Sequence, residues 1–243
     1  MSLDDYIVLL IAKRIAGDIV FSDDPRSSLR KWREYFEVSQ ADLARLMGVS
    51  PSVISDYEKG RRVPGAGFVR RYVTALLEFD RLRGWRKVSS IAASLGIIPG
   101  VVIDMMEFPR PLSLDELVDV VRGVLLTPEV GGDRLVYGYT LVDSIKAILT
   151  LSGIQYSILF GMTPERAIVF TNVQTGRSPM VAVRVSPVKP SVVVIHGPRE
   201  RVDPLAVEIA KRDNVPLILS LAKSVEELRD MLRSASRSPS QLT

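Results

Sequence analysis

The segment 39–64 constrains the fold most, because it carries the signals of two short helices joined by a tight turn. Ser39 is a favourable N-cap for the first helix. Gly48 is expected to end that helix, since glycine readily adopts the left-handed conformation that closes a helix. Ser50 then caps the second helix, and Pro51 occupies its first turn. The spacing predicts two helices that cross closely at this turn.

Apolar residues recur at helical spacing in both predicted helices, so each helix has one buried face. Ala44 is small, which lets the second helix cross close to the first. The residues predicted to point inward are Leu43, Ala44, Met47, Val49, Val53, Ile54 and Tyr57. The residues left facing outward on the second helix are Ser52, Ser55, Asp56 and Lys59.

This stretch resembles the lambda-repressor and Cro-like (XRE-type) family of helix-turn-helix proteins, and the resemblance extends over residues 28–80. The matching residues are Gln40, Leu43, Ala44, Gly48, Val49, Ser50, Ile54, Tyr57, Glu58, Gly60, Arg62 and Pro64. The resemblance implies that the region binds double-stranded DNA, with the second helix as a recognition helix in the major groove. We therefore expect a sequence-specific, DNA-binding transcriptional regulator that is not an enzyme and needs no cofactor.

The resemblance also implies roles for single residues. Gln40, at the start of the first motif helix, is expected to bond a backbone phosphate. The positions that face base edges are Pro51, Ser52, Ser55 and Asp56. The positions that follow the recognition helix and contact phosphates are Lys59, Arg61 and Arg62. Arg33 and Glu58 match a buried ion pair between the first helix and the recognition helix, with a plain surface arginine as the alternative for Arg33.

The base-facing set departs from strong readers of DNA sequence. It lacks the Arg, Asn and Gln side chains that make bidentate contacts with bases. Asp56 can accept from a cytosine amino group, but its charge also repels phosphate. Direct readout is therefore expected to be modest, with DNA shape and dimer spacing supplying more of the specificity.

Positive charge is concentrated around this motif. Residues 23–90 hold 14 basic and nine acidic side chains, a net charge of +5, whereas the whole chain carries +4. A local positive field suits a polyanionic partner, and a solvated basic surface is the alternative. Six more basic residues follow the motif, and for each of them phosphate contact and plain solvation are equal alternatives. They are Arg70, Arg71, Arg81, Arg83, Arg86 and Lys87.

The pattern beyond the motif predicts an all-helical helix-turn-helix domain followed by a smaller mixed α/β domain with a partly parallel sheet. We expect a helical domain over 1–95 that includes an N-terminal helix over 3–21 capped by Ser2, a connecting segment over 96–130, an α/β domain over 131–235 and a disordered tail over 236–243. The predicted strands are 157–160, 167–170, 180–185, 192–195 and 216–220, and the predicted helices are 114–121, 141–152, 205–212 and one from 224 to about 233. Capping boxes are expected at Ser113 and Ser224.

The layout as a whole also resembles a class of archaeal predicted regulators in which the same helix-turn-helix precedes an α/β domain. The segments that carry this resemblance are 31–34, 50–58 and 175–180. The α/β domain is expected to dimerise the protein, to sense a ligand, or both.

Two loops of the α/β half are candidates for holding a small anionic ligand. One contains Thr175, Gly176 and Arg177 and is predicted to lie between two strands, where a plain tight turn is the alternative. The other contains His196 and Arg199 after a buried strand, the position where open α/β sheets bind ligands. A structural histidine and a solvated arginine are the alternatives there.

Composition excludes several classes of site. The chain has no cysteine and one histidine, which removes disulfides, cysteine-ligated zinc and iron–sulfur clusters. An archaeal coactivator that bridges basal transcription factors is the alternative function, but those proteins carry a cysteine zinc ribbon. An enzyme in the α/β half is a weaker alternative, since no catalytic motif is present. No apolar run is long enough for a membrane span, so we expect a cytoplasmic protein.

A single motif of this type covers few base pairs, so we expect a homodimer that binds half-sites about 34 Å apart. Two regions are predicted to hold the dimer. One is the N-terminal helix, whose apolar residues are Ile7, Leu10, Ile11, Ile15 and Ile19. The other is the set of sheet edges in the α/β half. Packing of both regions against the chain's own domains is the alternative.

Overall fold

The computed structural model describes residues 5–95, 97, 100–152, 155–156, 159, 165–198 and 201–236. The chain divides into two compact units, Met1–Ile97 and Ile98–Thr243. Four sequence predictions lie outside the described residues. They are the Ser2 cap, the strand 157–160 apart from Leu159, the contact of Arg199, and the tail from residue 237 onward.

The first unit contains six helices within the described residues. They are α1 (Asp5–Val20), α2 (Pro25–Tyr35), α3 (Gln40–Met47), α4 (Pro51–Glu58), α5 (Ala66–Leu82) and α6 (Arg86–Ser94). Helix α5 lies at the centre of the unit and packs against α1, α3 and α6. The predicted motif helices are thus α3 and α4, held together by the longer α5.

Helix α1 is part of the core of its own unit. Ile7, Ile11, Ile15 and Ile19 are fully buried, and the helix packs against α2, α5 and α6. The expectation that these residues form a dimer surface is therefore wrong. Their spacing of four residues produces one continuous apolar stripe, which the unit needs for its own core.

The local signals around the motif turn are largely as expected. The Ser39 hydroxyl accepts a hydrogen bond from the amide of Asp42, and Gly48 has a left-handed backbone with φ of 67°. Ser50 occupies the N-cap position of α4, but its hydroxyl bonds the hydroxyl of Ser52 at 2.8 Å rather than a helix amide. The recognition helix is therefore started by Pro51 without a side-chain cap.

The second unit contains a six-stranded sheet and five helices within the described residues. The elements are β1 (Val102–Ser113), α7 (Leu114–Val120), β2 (Gly123–Leu125), β3 (Leu135–Asp143), α8 (Ser144–Thr150), β4 (Arg166–Thr171), α9 (Arg177–Val185), β5 (Val192–His196), α10 (Pro204–Arg212), β6 (Leu217–Ser220) and α11 (Val225–Ala235). The strand order is β1-β3-β4-β5-β6-β2. Strands β3 to β6 are parallel, and the flanking β1 and β2 are antiparallel to their neighbours.

Both faces of the sheet are buried, as expected for parallel strands joined by crossover helices. One face forms a core with α7 and α11, including Tyr139, Val169, Val194, Leu117 and Leu228. Helices α9 and α10 connect β4 to β5 and β5 to β6, and they pack against each other. The partly parallel sheet predicted from the sequence is confirmed.

The prediction of a connecting segment over 96–130 is wrong for the described residues 100–130. They supply β1 and β2, which pair with β3 and β6 at the two ends of the sheet, and the helix α7. The α/β unit is therefore larger than the helical unit. The proline and glycine residues on which the linker prediction rests lie in and before the edge strand β1, where proline is tolerated. The predicted helix 141–152 is also shorter, because β3 continues to Asp143, which caps α8.

The predicted strand 180–185 is a helix, α9. Val181, Val183 and Val185 alternate in the sequence, which is the pattern of a strand. In the structure Met180 and Val183 are buried while Val181 and Val185 are 43% and 75% exposed, which is helical spacing. Gly176, with φ of 86°, begins this helix.

Both predicted capping residues start helices. At α7 the Ser113 and Glu116 side chains bond each other's backbone amides, which is the complete capping box. At α11 the Ser224 hydroxyl accepts from the amide of Glu227, but the Glu227 carboxylate accepts from Lys223 instead of Ser224. The second box is therefore shifted by one residue.

Candidate nucleic-acid interface

A buried carboxylate joins four helices of the motif region, α2, α3, α4 and α5. Glu58, at the end of α4, has a side chain that is only 2% exposed. Its Oε1 accepts from Arg33 Nε of α2 at 2.6 Å, and its Oε2 accepts from Arg33 Nη2 at 2.9 Å. Arg33 Nη1 also donates to the carbonyl of Val38 at 3.0 Å. This bidentate geometry is the strongest form of ion pair between these residue types.

Two further side chains complete the network around Glu58. Gln40 of α3 donates through Nε2 to Glu58 Oε2 at 2.8 Å. The hydroxyl of Tyr72 lies 2.9 Å from the carbonyl of Leu29 and 3.3 Å from Glu58 Oε1. Helices α2, α3, α4 and α5 are thus tied to one carboxylate, and this fixes how the recognition helix is presented.

The charges of this network shift the pKa values of its members. The hydrogen bond from Arg33 to Glu58 raises the pKa of the guanidinium. Burial, and then the charge of Glu58, raises the pKa of the Tyr72 hydroxyl above its ordinary value. Arginine therefore remains charged and tyrosine neutral across the physiological range.

Sequence reasoning missed Tyr72 and the contact between Gln40 and Glu58. The only available signal for Tyr72 was a polar aromatic residue on the apolar stripe of α5. Gln40 was expected to bind a phosphate, and its amide nitrogen carries two hydrogens, of which Glu58 occupies one. The hydrogen bond to Glu58 uses one of these hydrogens and fixes the orientation of the amide.

The outward side of α4 presents a small polar surface. Pro51 and Ser52 are exposed, whereas Ser55 and Asp56 are half-buried. On the opposite side, Tyr57 stacks on Phe68 of α5, with ring centroids 3.6 Å apart. This stacking holds α4 in one rotation, and the four positions that the sequence predicts to face bases lie together on its other side.

Asp56 has intramolecular partners that the sequence did not suggest. Arg61 Nη1 lies 3.2 Å from one carboxylate oxygen, and Arg62 Nε lies 3.7 Å from the other. The Asp56 side chain is 25% exposed, and both arginines are exposed. The carboxylate therefore partly neutralises two of the three cations expected to contact phosphate. Lys59 is exposed and has no ion-pair partner among the described residues.

The basic residues after the motif fall into two groups. Arg81 pairs with Glu78, while Arg83 and Lys87 pair with Glu37. Within the described part of the chain, no carboxylate pairs with the exposed residues Arg70, Arg71 and Arg86. The second group carries the positive charge that remains available to a polyanion.

The four candidate ligand residues of the α/β unit that the structure describes do not form one site. Thr175 and Gly176 line a cavity of about 310 Å³ beside α8, at the end of β4. His196 lines a larger cavity of about 740 Å³ at the ends of β4, β5 and β6. Arg177 instead forms an ion pair with Asp203 at 2.7 Å and lines neither cavity.

Among the described residues, no group of three or more His, Asp or Glu side chains is arranged to hold a metal ion. No helix in the described ranges is both long and apolar enough to cross a membrane.

Comparison with known proteins gives the following matches. Residues 27–84 match the family model of a helix-turn-helix domain. The chain is 46% identical over 223 residues to an uncharacterized HTH-type transcriptional regulator of Archaeoglobus fulgidus, covering 90% of this chain and 96% of that protein. It is 44% identical over 212 residues to an uncharacterized HTH-type transcriptional regulator of Methanocaldococcus jannaschii, covering 86% of this chain and 88% of that protein. No solved structure matches.

Proposed function

Because the chain belongs to the family of these archaeal HTH-type transcriptional regulators, we propose that it regulates transcription by binding double-stranded DNA with α4 in the major groove. The observation that carries this proposal is the network around Glu58. It ties α2, α3 and α5 to the recognition helix, while the opposite side of that helix is left polar and free.

Affinity for DNA comes mainly from contacts with phosphates. Gln40 lies at the start of α3, and the cations Lys59, Arg61 and Arg62 follow the end of α4. Phosphate contacts release counterions, so binding weakens steeply as salt is raised. Ser52, Ser55 and Asp56 supply a limited set of base contacts, and DNA shape supplies the rest of the specificity.

The direct experiment is fluorescence anisotropy with duplex DNA over a range of salt concentrations. A variant with Gln40→Ala, Lys59→Ala, Arg61→Ala and Arg62→Ala is expected to lose about 100-fold or more in affinity for all sequences and to show a shallower salt slope. The matched control removes three exposed cations of the α/β unit, through Arg110→Ala, Lys211→Ala and Arg212→Ala. Equal losses in both variants would contradict the proposed interface.

We also propose that the protein acts as a homodimer, which gives selectivity through two half-sites. The α/β unit offers an apolar helical surface for this contact. Ile145, Ile148 and Leu149 of α8 are 49%, 54% and 78% exposed. Pairing along β1 is disfavoured, because Pro109 and Pro111 cannot donate ladder hydrogen bonds.

Light scattering at micromolar concentration tests the assembly. We expect the mass of a dimer, and a shift toward the monomer in the variant Ile148→Lys with Leu149→Lys. The matched control is Arg229→Glu with Arg212→Glu, which changes charge at exposed positions outside this apolar surface. A monomeric mass of the unmodified chain, both with and without DNA, would contradict the proposed dimer.

The remaining role that we propose for the α/β unit is to sense a small molecule. The supporting observation is the cavity at the carboxyl ends of β4, β5 and β6, the position where parallel α/β sheets bind ligands. Thermal-shift measurement of the full chain with small-molecule panels tests whether this unit responds to a ligand.

A further inference from the structure

An arginine that lies outside the helix-turn-helix in sequence is placed beside the end of α4. Arg26 belongs to the first turn of α2, seven residues before Arg33. Seven residues are nearly two helical turns, so both side chains lie on the same face of α2. Arg33 on that face binds Glu58 at the end of α4. Arg26 is therefore directed toward the residues that follow α4.

The side chain of Arg26 lies directly against the backbone of Gly60. A Cβ at Gly60 would lie 2.9 Å from Arg26 Cδ and 3.4 Å from Arg26 Nη1, so only glycine leaves room for the arginine in this position. Gly60 stands between Lys59 and Arg61, two of the cations that we propose to contact phosphate. The guanidinium of Arg26 is thus close in space to this group of cations, although α2 is distant from it in sequence.

Asp24 orients the guanidinium of Arg26. One carboxylate oxygen of Asp24 accepts from Arg26 Nε at 2.8 Å, and the other accepts from the hydroxyl of Ser27 at 2.5 Å. Nε carries one hydrogen, whereas Nη1 and Nη2 carry two hydrogens each. Neither Nη1 nor Nη2 has a hydrogen-bond partner among the described residues. Asp24 therefore fixes the side chain and leaves its two terminal nitrogens available for a second anion.

The chemistry of these two nitrogens fits a phosphate group. The terminal nitrogens of a guanidinium lie in one plane and can donate in parallel to two oxygens of one phosphate, which a lysine cannot do. The Arg26 side chain is 58% exposed, so a phosphate can reach it from solvent. The ion pair with Asp24, which is 43% exposed, contributes little to stability at this exposure.

We propose that Arg26 binds a phosphate of the DNA backbone beside the phosphates contacted by Lys59 and Arg61. The interface then extends from the end of α4 to the first turn of α2. This inference rests on the proposed binding of duplex DNA and adds a contact from outside residues 39–64. Because the partner is a phosphate, the contact contributes equally to all DNA sequences.

Fluorescence anisotropy of the full chain with a mixed-sequence duplex, over a range of salt concentrations, tests the proposal. Arg26→Met is expected to weaken binding about three- to tenfold at low salt and to reduce the salt slope by about one, because one phosphate contact is lost. Arg26→Lys keeps the charge and should retain most of the slope with a smaller loss of affinity. The matched control is Arg81→Met, at an arginine that is 52% exposed and also pairs with a neighbouring carboxylate, that of Glu78.

A second measurement detects the contact without reference to affinity. The chain has no cysteine, so Arg26→Cys provides a single thiol that can be labelled with a photoactivated azidophenacyl group. Irradiation of its complex with the duplex should cross-link the protein to DNA. Arg81→Cys, labelled in the same way at the far end of α5, should give little or no cross-linking.

Two results would overturn the inference while leaving the proposed function intact. One is a salt slope that is unchanged in Arg26→Met, even if affinity falls, since a purely structural role of Arg26 changes affinity without changing the number of phosphate contacts. The other is equal cross-linking from Arg26→Cys and Arg81→Cys. Absence of duplex binding by the unmodified chain would instead contradict the proposed function, and this contact with it.

Discussion

The helical unit and the α/β unit place their candidate sites in different ways. The residues that we propose to face DNA lie on one short stretch of the helical unit, between Gln40 and Arg62. The cavity of the α/β unit is assembled from the ends of three strands, and its lining runs from Asn172 to Lys223. A local motif reveals its site in the sequence, whereas a site made by topology becomes visible only when the strands are aligned.

The two units also treat buried polar groups differently. Glu58 is almost fully buried and receives hydrogen bonds from Arg33, Gln40 and Tyr72. His196 Nδ1 is buried and receives none from the described residues. A completed network stabilises the scaffold around it, whereas an unpaired buried polar atom costs stability.

The largest expected effect comes from breaking the completed network. Glu58→Ala leaves the Arg33 guanidinium, whose side chain is 12% exposed, without its partner. We expect a loss of about 3–5 kcal/mol in the stability of the helical unit, and less if water reaches the arginine. Both tryptophans, Trp32 and Trp85, belong to this unit, so urea unfolding followed by fluorescence measures it selectively.

The matched control for this prediction is Glu78→Ala, since Glu78 is 40% exposed and pairs with Arg81 on the surface. Its cost should be below about 1 kcal/mol. A double-mutant cycle of Arg33→Met and Glu58→Leu should show strong coupling. Equal effects of the Glu78 and Glu58 variants would mean that the network is not what stabilises the unit.

The next effect concerns the contact between the loop after β4 and the end of β5. There the amide of Val173 donates to the carbonyl of His196 at 3.1 Å. Gly197→Ala forces a side chain into the left-handed region and against the Val173 carbonyl. We expect a loss of about 1–3 kcal/mol, seen by circular dichroism but not by tryptophan fluorescence. Gly67→Ala is the control, because no atom lies within 4 Å of the added Cβ and the residue is in α5, where alanine is favoured. A shift in the fluorescence transition of Gly197→Ala would show that the units unfold together.

A pH experiment compares one buried tyrosine from each unit. Burial is the main cause that raises the pKa of both Tyr72 and Tyr139, and a nearby carboxylate, Glu58 or Asp104, adds to it. The folded state thus prefers the protonated hydroxyl. This contribution to stability is present in full below pH 10 and is lost as the pH rises from about 10 toward the folded pKa. The loss is at most about 1.4 kcal/mol per pH unit for each tyrosine.

Unfolding experiments between pH 9 and pH 11.5 test this loss with Tyr72→Phe and Tyr139→Phe. Each variant should show a flatter pH dependence in its own unit only. Tyr137→Phe is the control, since Tyr137 is 45% exposed. If the pH dependence of stability is unchanged in Tyr72→Phe and Tyr139→Phe, other groups cause the loss of stability at alkaline pH.

The smallest expected effect concerns the role of Asp56 in DNA binding. Asp56→Asn removes the carboxylate that partly neutralises Arg61 and Arg62. We expect affinity for all duplex sequences to rise about three- to tenfold at low salt, with a steeper salt slope. Glu78→Gln gives the same change in net charge at the Arg81 pair and should have little effect. A change of sequence preference without a general rise in affinity would instead identify Asp56 as a base reader.

The caps, the turn and the apolar spacing of α3 and α4 were predictable because each depends on residues within a few positions of one another. The family assignment followed from the same residues and is confirmed by the archaeal relatives. The strands β4, β5 and β6 were also predictable, since each is a short apolar run bounded by polar residues.

The remaining features depend on contacts that are distant in sequence. The α9 segment was predicted as a strand because its alternating valines fit the period of a strand, and over so short a length this pattern cannot be told from that of a helix. The apolar stripe of α1 was assigned to a dimer because a sequence does not show that α2, α5 and α6 cover it. The partners of Asp56 and the free Nδ1 of His196 are properties of side-chain placement, which no spacing rule supplies.

The strand order has a consequence for how the protein is made. Strand β2, at residues 123–125, pairs with β6, at residues 217–220, and Asp104 of β1 bonds Arg233 of α11. The sheet therefore cannot close until nearly the whole chain has left the ribosome. The helical unit ends at residue 97, so its core can form much earlier during synthesis. Each nascent chain thus carries a folded helix-turn-helix while the edges of its unfinished sheet are still exposed, and the slow formation of contacts distant in sequence limits how quickly those edges are covered.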